Sequence, residues 1–186
     1  AAANGQEPGD IKVQDVDGNG VITTDDRIIY SQRPDVTFGF NNTFNYKGFD
    51  LSVFLYARLG QWIAYDYNTT YRINALENGG NVDYWTPENP TNAFPRPNKS
   101  KSYTQVTYYS TLKYEDGSFF KIRDITLGYT FKPELLKHLN LSRLRVYATA
   151  KNFFTFSKID NYDPEQGGSI SFPMTKQLVF GLNVEF

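Results

Sequence analysis

Residues 36–46 read Val-Thr-Phe-Gly-Phe-Asn-Asn-Thr-Phe-Asn-Tyr, and their alternation limits the chain more than any other feature. Val36, Phe38, Phe40, Phe44 and Tyr46 are apolar. Asn42 breaks the series, and the positions between are Thr, Gly and Asn. A period of two puts successive side chains on opposite faces of an extended backbone, so the segment predicts a strand with one apolar and one polar face. It runs about 11 residues, roughly twice the usual globular strand. Lys47-Gly48 then makes a tight turn. From Phe49 the apolar phase continues through Leu51, Val53, Leu55 and Ala57, against Asp50, Ser52 and Arg58 on the other face. The pair reads as a long β-hairpin.

The same signature returns three times. Ile125, Leu127, Tyr129 and Phe131 alternate with Asp124, Thr126, Gly128 and Thr130, after an interruption at Arg123. Leu144, Val146, Ala148 and Ala150 oppose Arg143, Arg145, Tyr147, Thr149 and Lys151 in a strand expected to run to about Phe156. Leu178, Phe180, Leu182, Val184 and Phe186 form the apolar face of a last strand from Thr175. Pro133–Leu139 reads as a short helical stretch, with proline at its start and Glu134 in the first turn. Residues 59–117 break the pattern, being rich in Asn, Gly, Pro and Tyr, and 157–174 form a second loop.

Two architectures share this alternation. In a soluble sandwich the apolar face is the core. In an outer-membrane barrel it faces lipid, and the polar face lines the lumen. Three features favour an all-β transmembrane barrel with long extracellular loops. The strands are long enough to cross on a tilt. Short connections at 47–48 and 133–142 alternate with long ones at 59–117 and 157–174. The chain also stops on an aromatic residue at a strand end. The alternative is a secreted β-sandwich carbohydrate-binding module with structural calcium.

Composition excludes several functions. The 15 Phe, 14 Tyr and 2 Trp fit β-structure, and no run of apolar residues is long enough for a membrane helix. Nineteen basic against 20 acidic residues give a net charge of −1, which does not suit a nucleic-acid surface. There is no cysteine and one histidine, His138, so thiolate metal sites, a Cys nucleophile and a His cluster are excluded. The paired carboxylates Asp15/Asp17 and Glu115/Asp116 have better explanations than acid–base catalysis, and no enzyme is expected. The first six residues lack a charged start and an apolar run, so they are not read as a signal peptide. The chain is expected to be processed or to begin inside a larger protein.

One segment carries ligand chemistry. Asp15-Val16-Asp17-Gly18-Asn19-Gly20-Val21-Ile22-Thr23-Thr24-Asp25-Asp26 fits a twelve-residue calcium loop. Asp15, Asp17 and Asn19 take positions 1, 3 and 5, and Gly20 takes the sharp turn at 6. Val21 offers its backbone carbonyl at 7, and Asp26 closes at 12 in place of the usual Glu. Calcium needs six or more hard oxygens around one point, and this spacing curls them inward. The competing interpretation is an Asp/Asn/Gly-rich turn. Trp62, Tyr65, Tyr67, Tyr71, Tyr84 and Trp85 crowd the large loop. Of these, Trp62, Tyr65 and Trp85 are the candidate ligand-binding aromatics, as stacking faces for sugars or for a protein lid, or else as the loop's own small core. Tyr46, Phe49 and Phe131, near strand ends, read as a membrane-interface girdle.

The chain end Gly181-Leu182-Asn183-Val184-Glu185-Phe186 resembles the C-terminal signal read by the outer-membrane insertion machinery. Gly181, Leu182, Val184 and Phe186 match it, while Val179 stands where a polar residue is usual. Further segments are similar to the C-terminal third of SusC/RagA-like TonB-dependent transporters of Bacteroidota. They are Gly9-Asp10-Ile11-Lys12 leading into the Asp15 loop, Tyr46-Lys47-Gly48-Phe49-Asp50-Leu51-Ser52, Tyr84-Trp85-Thr86-Pro87-Glu88-Asn89-Pro90, Glu115-Asp116-Gly117-Ser118-Phe119, Asp124-Ile125-Thr126-Leu127-Gly128-Tyr129 and Asn161-Tyr162-Asp163-Pro164-Glu165. In this order they cover nearly the whole chain. The resemblance implies a plugged barrel of about 22 strands, with residues 1–186 supplying the last five or so. It also implies a TonB complex engaged through other regions, a SusD-like surface lipoprotein over the mouth, and an oligosaccharide or peptide cargo. The remainder of the transporter chain would be the immediate partner. Counting strands back from a periplasmic Phe186 makes 10–33, with its calcium-type motif, and 59–117 extracellular loops.

Overall fold

The computed structural model describes residues 7–65, 83–96 and 110–186. Five strands form one antiparallel sheet: β1 (Val36–Tyr46), β2 (Phe49–Leu59), β5 (Phe119–Thr130), β6 (Arg143–Ser157) and β7 (Gln177–Glu185). Their order in the sheet is the order in sequence, an up-and-down meander with β1 and β7 at the edges. Between β2 and β5 lie β3 (Trp62–Ala64) and β4 (Tyr114–Asp116), which pair with each other. The chain divides into two compact units. One contains the five-stranded sheet. The other comprises the described residues of 1–32, 62–116 and 167–171.

The first hairpin follows its sequence closely. β1 pairs with β2 from Tyr46↔Phe49 to Val36↔Leu59 without a slip. Lys47 and Gly48 both take positive φ, 48° and 88°, which gives the two-residue turn whose twist matches the flanking strands. Glycine is required at the second position. The Gly48 carbonyl accepts from the Thr130 N–H at 2.7 Å, and a Cβ on Gly48 would stand 2.7 Å from the Thr130 carbonyl oxygen. Pro133–Leu136 forms one α-helical turn, followed by a 3-10 turn at Lys137–Leu139. Asn140 ends it in the left-handed conformation that Asn tolerates.

The apolar face of the sheet is exposed to the outside. Phe180 is 74% and Leu182 61% accessible, the reverse of what a sandwich core requires. Among the described residues this unit holds one sheet, and the exposure of its apolar face does not fit the secreted-sandwich alternative. At the short-turn end, Phe49, Tyr129 and Phe131 form a ring cluster with centroids 4.6 and 5.1 Å apart, and Lys47 reaches over the Tyr46 ring. At the other end Phe38 lies against Phe40 and Phe120 against Phe156. Aromatic pairs thus lie toward both ends of an exposed face that carries Leu51, Val53, Leu55, Leu127, Ala148 and Leu178, with Phe44 and Phe180 among them, a face suited to lipid. An eleven-residue strand reaches roughly 36 Å, or about 25–30 Å along the membrane normal at a 35–45° tilt.

The polar face is tied across strands. Thr126 and Thr149 hydroxyls meet at 2.8 Å. Arg145 on β6 grips both carboxylate oxygens of Asp50 on β2, at 2.9 and 2.5 Å. That pair must pass over β5, and it does so above Gly128, where any Cβ would meet the Arg145 guanidinium and the Asp50 carboxylate at 2.5 Å. On the next strand the Tyr147 ring lies across Gly181, occupying the space a side chain there would need. Gly128 and Gly181 therefore serve close cross-strand approach.

Arg123 is the extra residue of a bulge. The pairing of β5 shifts register on both sides of it, against β2 and against β6. The interruption seen in the sequence is a one-residue insertion that re-aims side chains without ending the strand. Residues 59–117, expected to be mostly irregular, hold more structure than that. Trp62, Ile63 and Ala64 pair with Asp116, Glu115 and Tyr114, and Ser110–Lys113 makes a helical turn. Strand ends run one or two residues past the expected ones at Leu59 and Ser157, and β7 begins two residues later, at Gln177.

Candidate functional site

The Asp15–Asp26 segment curls as its spacing demands. Gly18 and Gly20 adopt φ of 75° and 84°, which place the turns a loop of acceptors requires. Asp15 accepts from the N–H of Gly18 at 2.7 Å and of Gly20 at 2.8 Å. Asp17 accepts from the N–H of Asn19 at 3.0 Å and from its side-chain amide at 2.7 Å. Asn19 Oδ1 accepts from the N–H of Val21 at 2.7 Å. Asp26 closes the loop, with Oδ1 accepting from Val16 and Oδ2 from Thr23, each at 2.7 Å. Thr23 and Asp26 form a reciprocal capping box on the 3-10 turn Thr24–Asp26. These N–H donors, Thr23 first and then Val16, hold the Asp26 carboxyl below its ordinary pKa.

One carboxylate oxygen each from Asp15, Asp17 and Asp26 lies within 4.8 Å of the other two. Three anions so close repel one another, so the arrangement suits a hard cation with oxygen ligands. The spacing brings Asp15, Asp17 and Asp26 to one point. Asn19 and Val21 lie on the arc between, each held by a local hydrogen bond.

A second charged group lies in the sheet unit, and the reading of the sequence missed it. Lys121 on β5 has no accessible side-chain surface, and it bonds to Asp163 at 2.6 Å and to Glu165 at 2.9 Å. Glu165 uses its other oxygen on Arg123, at 3.0 Å. Asp163 also accepts from the Glu165 N–H at 3.0 Å, starting the 3-10 turn Pro164–Gln166, and Pro164 is fully buried. The Asn161-Tyr162-Asp163-Pro164-Glu165 run is thus a clamp fastening the β6–β7 connection to the polar face of β5. The available signal was a lysine in the polar phase of a strand beside an acidic loop motif.

The aromatics distribute differently from one another. The Trp62 ring lies 4.5 Å from that of Tyr30, which in turn lies 5.4 Å from Tyr114. Tyr65 is 2% exposed and, like Ile63, is buried in the unit outside the five-stranded sheet. Trp85 covers Gly9, whose φ of 90° and lack of a side chain admit the indole. Arg96 holds Glu7 and Asp10 on the same segment, which raises the guanidinium pKa, Glu7 being the main cause. Tyr67 and Tyr71 lie outside the described residues.

The Tyr84–Pro90 run is a self-bonded loop. Thr86 and Asn89 exchange backbone bonds at 3.1 Å, and the Asn89 amide reaches Asp83 at 2.8 Å. The Thr91 hydroxyl donates to Asp83 at 2.5 Å and, with Asn89, lowers the Asp83 pKa. A depressed carboxylate contributes stability above its unfolded pKa and loses it as pH falls through the lower folded value. The 83–91 loop should therefore keep its protease resistance at pH 5 and lose it only in stronger acid. Asp83→Asn should remove that dependence, as limited proteolysis across pH would show.

The sequence relatives are consistent with this architecture. No family model matches the chain. TonB-dependent receptor P3 of Formosa agariphila is 31% identical over 97% of this chain, which corresponds to 19% of the receptor. TonB-dependent receptor SusC of Bacteroides thetaiotaomicron is 31% identical over 92% of this chain and 17% of its own length. The chain thus spans about a fifth of the length of the curated relatives it matches. Among solved structures, the RagAB peptide importer in its closed-closed state superposes with a TM-score of 0.68 and 27% identity, over 92% of this chain and 20% of that one. A RagAB peptide transporter structure gives 0.65 and 25%, over 86% of this chain and 18% of that one. The chain belongs to the SusC/RagA-like TonB-dependent transporters of the bacterial outer membrane, and its five-stranded sheet is a portion of their β-barrel wall.

Proposed function

We propose that this chain is part of an importer that moves oligomeric nutrients, glycans or peptides, across the outer membrane with a SusD-like surface lipoprotein. The observation that carries the reading is the meander with two unpaired edges and an exposed, lipid-type apolar face. Such edges are completed by more strands, which the rest of the transporter polypeptide supplies. The RagAB structures are peptide importers, and their two-component name supports a partner protein. TonB engages through other regions of the polypeptide. Transport of this kind needs no catalytic residue, and we assign none.

In this reading 10–33 and 59–117 are extracellular loops, and the turns at 47–48 and 133–142 face the periplasm. The Asp15–Asp26 loop holds one structural calcium ion through Asp15, Asp17, Asn19, the Val21 carbonyl and Asp26. The convergence of three carboxylates supports this. Trp62 and Trp85, both half-buried, present their open faces to cargo or lid, and the buried Tyr65 contributes to the same loop. Gly181, Leu182, Val184 and Phe186 act as the insertion signal, and Phe186 is 93% exposed, free to be gripped.

Two tests follow. Deleting the full transporter gene should abolish growth on either a peptide hydrolysate or an oligosaccharide mixture as sole nutrient. Unchanged growth on both would refute importer function. Protease added to intact cells should cut within 59–117 and 157–174, while cleavage at Lys47 from outside would reverse the topology.

A further inference from the structure

The polar face of the sheet carries a cationic cluster with one member unbalanced. Tyr56 and Arg58 follow each other on the polar phase of β2, and the bulge brings Arg123 to the same ring. The Arg58 guanidinium lies 5.6 Å and the Arg123 guanidinium 5.4 Å from the Tyr56 ring centroid. Phe119, with its centroid 5.7 Å away, backs the tyrosine from β5. Lys121 is fully committed to Asp163 and Glu165, and both oxygens of Glu165 are used, one on Lys121 and one on Arg123. The two carboxylates are thereby spent on Lys121 and Arg123. Arg58 donates its Nε–H to the Tyr56 hydroxyl at 2.7 Å. Among the described residues no carboxylate lies within ion-pair distance of Arg58.

Among the described residues the phenol is the one polar partner of this half-buried guanidinium, which leaves most of its donors unused. The tyrosine that accepts from Arg58 keeps its own O–H to give. Arg58 and Tyr56 therefore offer N–H and O–H donors side by side, with Arg123 adding positive charge across the ring. One excess charge and a planar fork match a monoanionic carboxylate held by parallel bonds. We infer that Tyr56, Arg58 and Arg123 form a subsite for a carboxylate group of the imported cargo, whether a peptide's or a uronate's. The inference rests on the proposed importer reading, in which this polar face lines the translocation route.

The test uses the full-length transporter purified in detergent, with four probes: tetraglutamate and tetraglutamine, both N-acetylated and C-amidated so that only side-chain carboxylates differ, and trigalacturonate and its carboxyl-reduced neutral counterpart. The acidic member of at least one pair should bind about tenfold or more tightly than the neutral one, as expected for hydrogen bonds to a charged group. Arg58→Gln should erase that preference and leave neutral-probe affinity and folding unchanged. Arg58→Lys, which keeps charge but loses the fork, should retain part of it. Equal binding within both pairs, no binding of any probe, or a preference that survives Arg58→Gln would overturn the inference. So would a structure of the whole transporter in which one of its own carboxylates occupies Arg58. Growth of the gene-deletion strain reports separately on importer function, so the two readings fail independently.

Discussion

Lys121→Met in the full-length transporter should destabilise the folded barrel by about 3–5 kcal/mol, the usual cost of removing one partner from a buried ion pair. The side chain is inaccessible, and Asp163 and Glu165 are each only 12% exposed, so solvent screens the group poorly. Without the ammonium, two carboxylates stay pressed together against the sheet, and the β6–β7 connection should lift away. Chemical unfolding followed by tryptophan fluorescence gives the loss, and proteolysis between 158 and 176 reports the release. The triple variant Lys121→Met, Asp163→Asn, Glu165→Gln should recover most of the stability, since it leaves no buried charge unpaired. A single variant as stable as the wild type would mean that the clamp does not hold the loop.

Asp17→Ala should weaken calcium binding to the transporter by about tenfold or more, because the number of charged ligands tunes such sites. Asp26→Ala should do more, since Asp26 both closes the loop and accepts from Val16 and Thr23. Extracellular modules bind calcium at about 10⁻⁴ to 10⁻³ M, so calorimetry in that range is the measurement. Chelation should raise protease cutting near Gly20 in the wild type and change nothing further in Asp17→Ala. Wild-type protein that takes up no calcium at several millimolar would leave the loop as a hydrogen-bonded turn only.

Local order was legible and distant pairing was not. The strand β1, its turn and the start of β2 follow from a period of two and a Lys-Gly pair, all short-range signals. The bulge at Arg123 looked like an interruption, because one inserted residue reverses the phase without ending the strand. The β3–β4 pairing joins Trp62 to Asp116 across more than 50 residues of loop, which no local pattern encodes. Lys121 shows the same limit at the site. Its polarity fits the strand phase, yet its partners stand 42 and 44 residues away. The calcium-type loop was readable because all its acceptors lie within twelve consecutive positions. Gly128 was visible as part of a motif, but its reason, an ion pair passing overhead from β2 to β6, needed the register of three strands.

A barrel wall requires the even-numbered face of β7 to meet lipid. Nitroxide labels placed singly at residues 178–185 of the full transporter in bilayers, read by power-saturation EPR, address it directly. Collisions with dissolved oxygen, which partitions into lipid, should dominate at 178, 180, 182 and 184. Collisions with a water-soluble nickel chelate, or protection from both reagents, should mark 179, 181, 183 and 185. Uniform exposure to the nickel chelate along the strand, or oxygen preference at the odd positions, would contradict the assignment of this sheet to a membrane barrel wall.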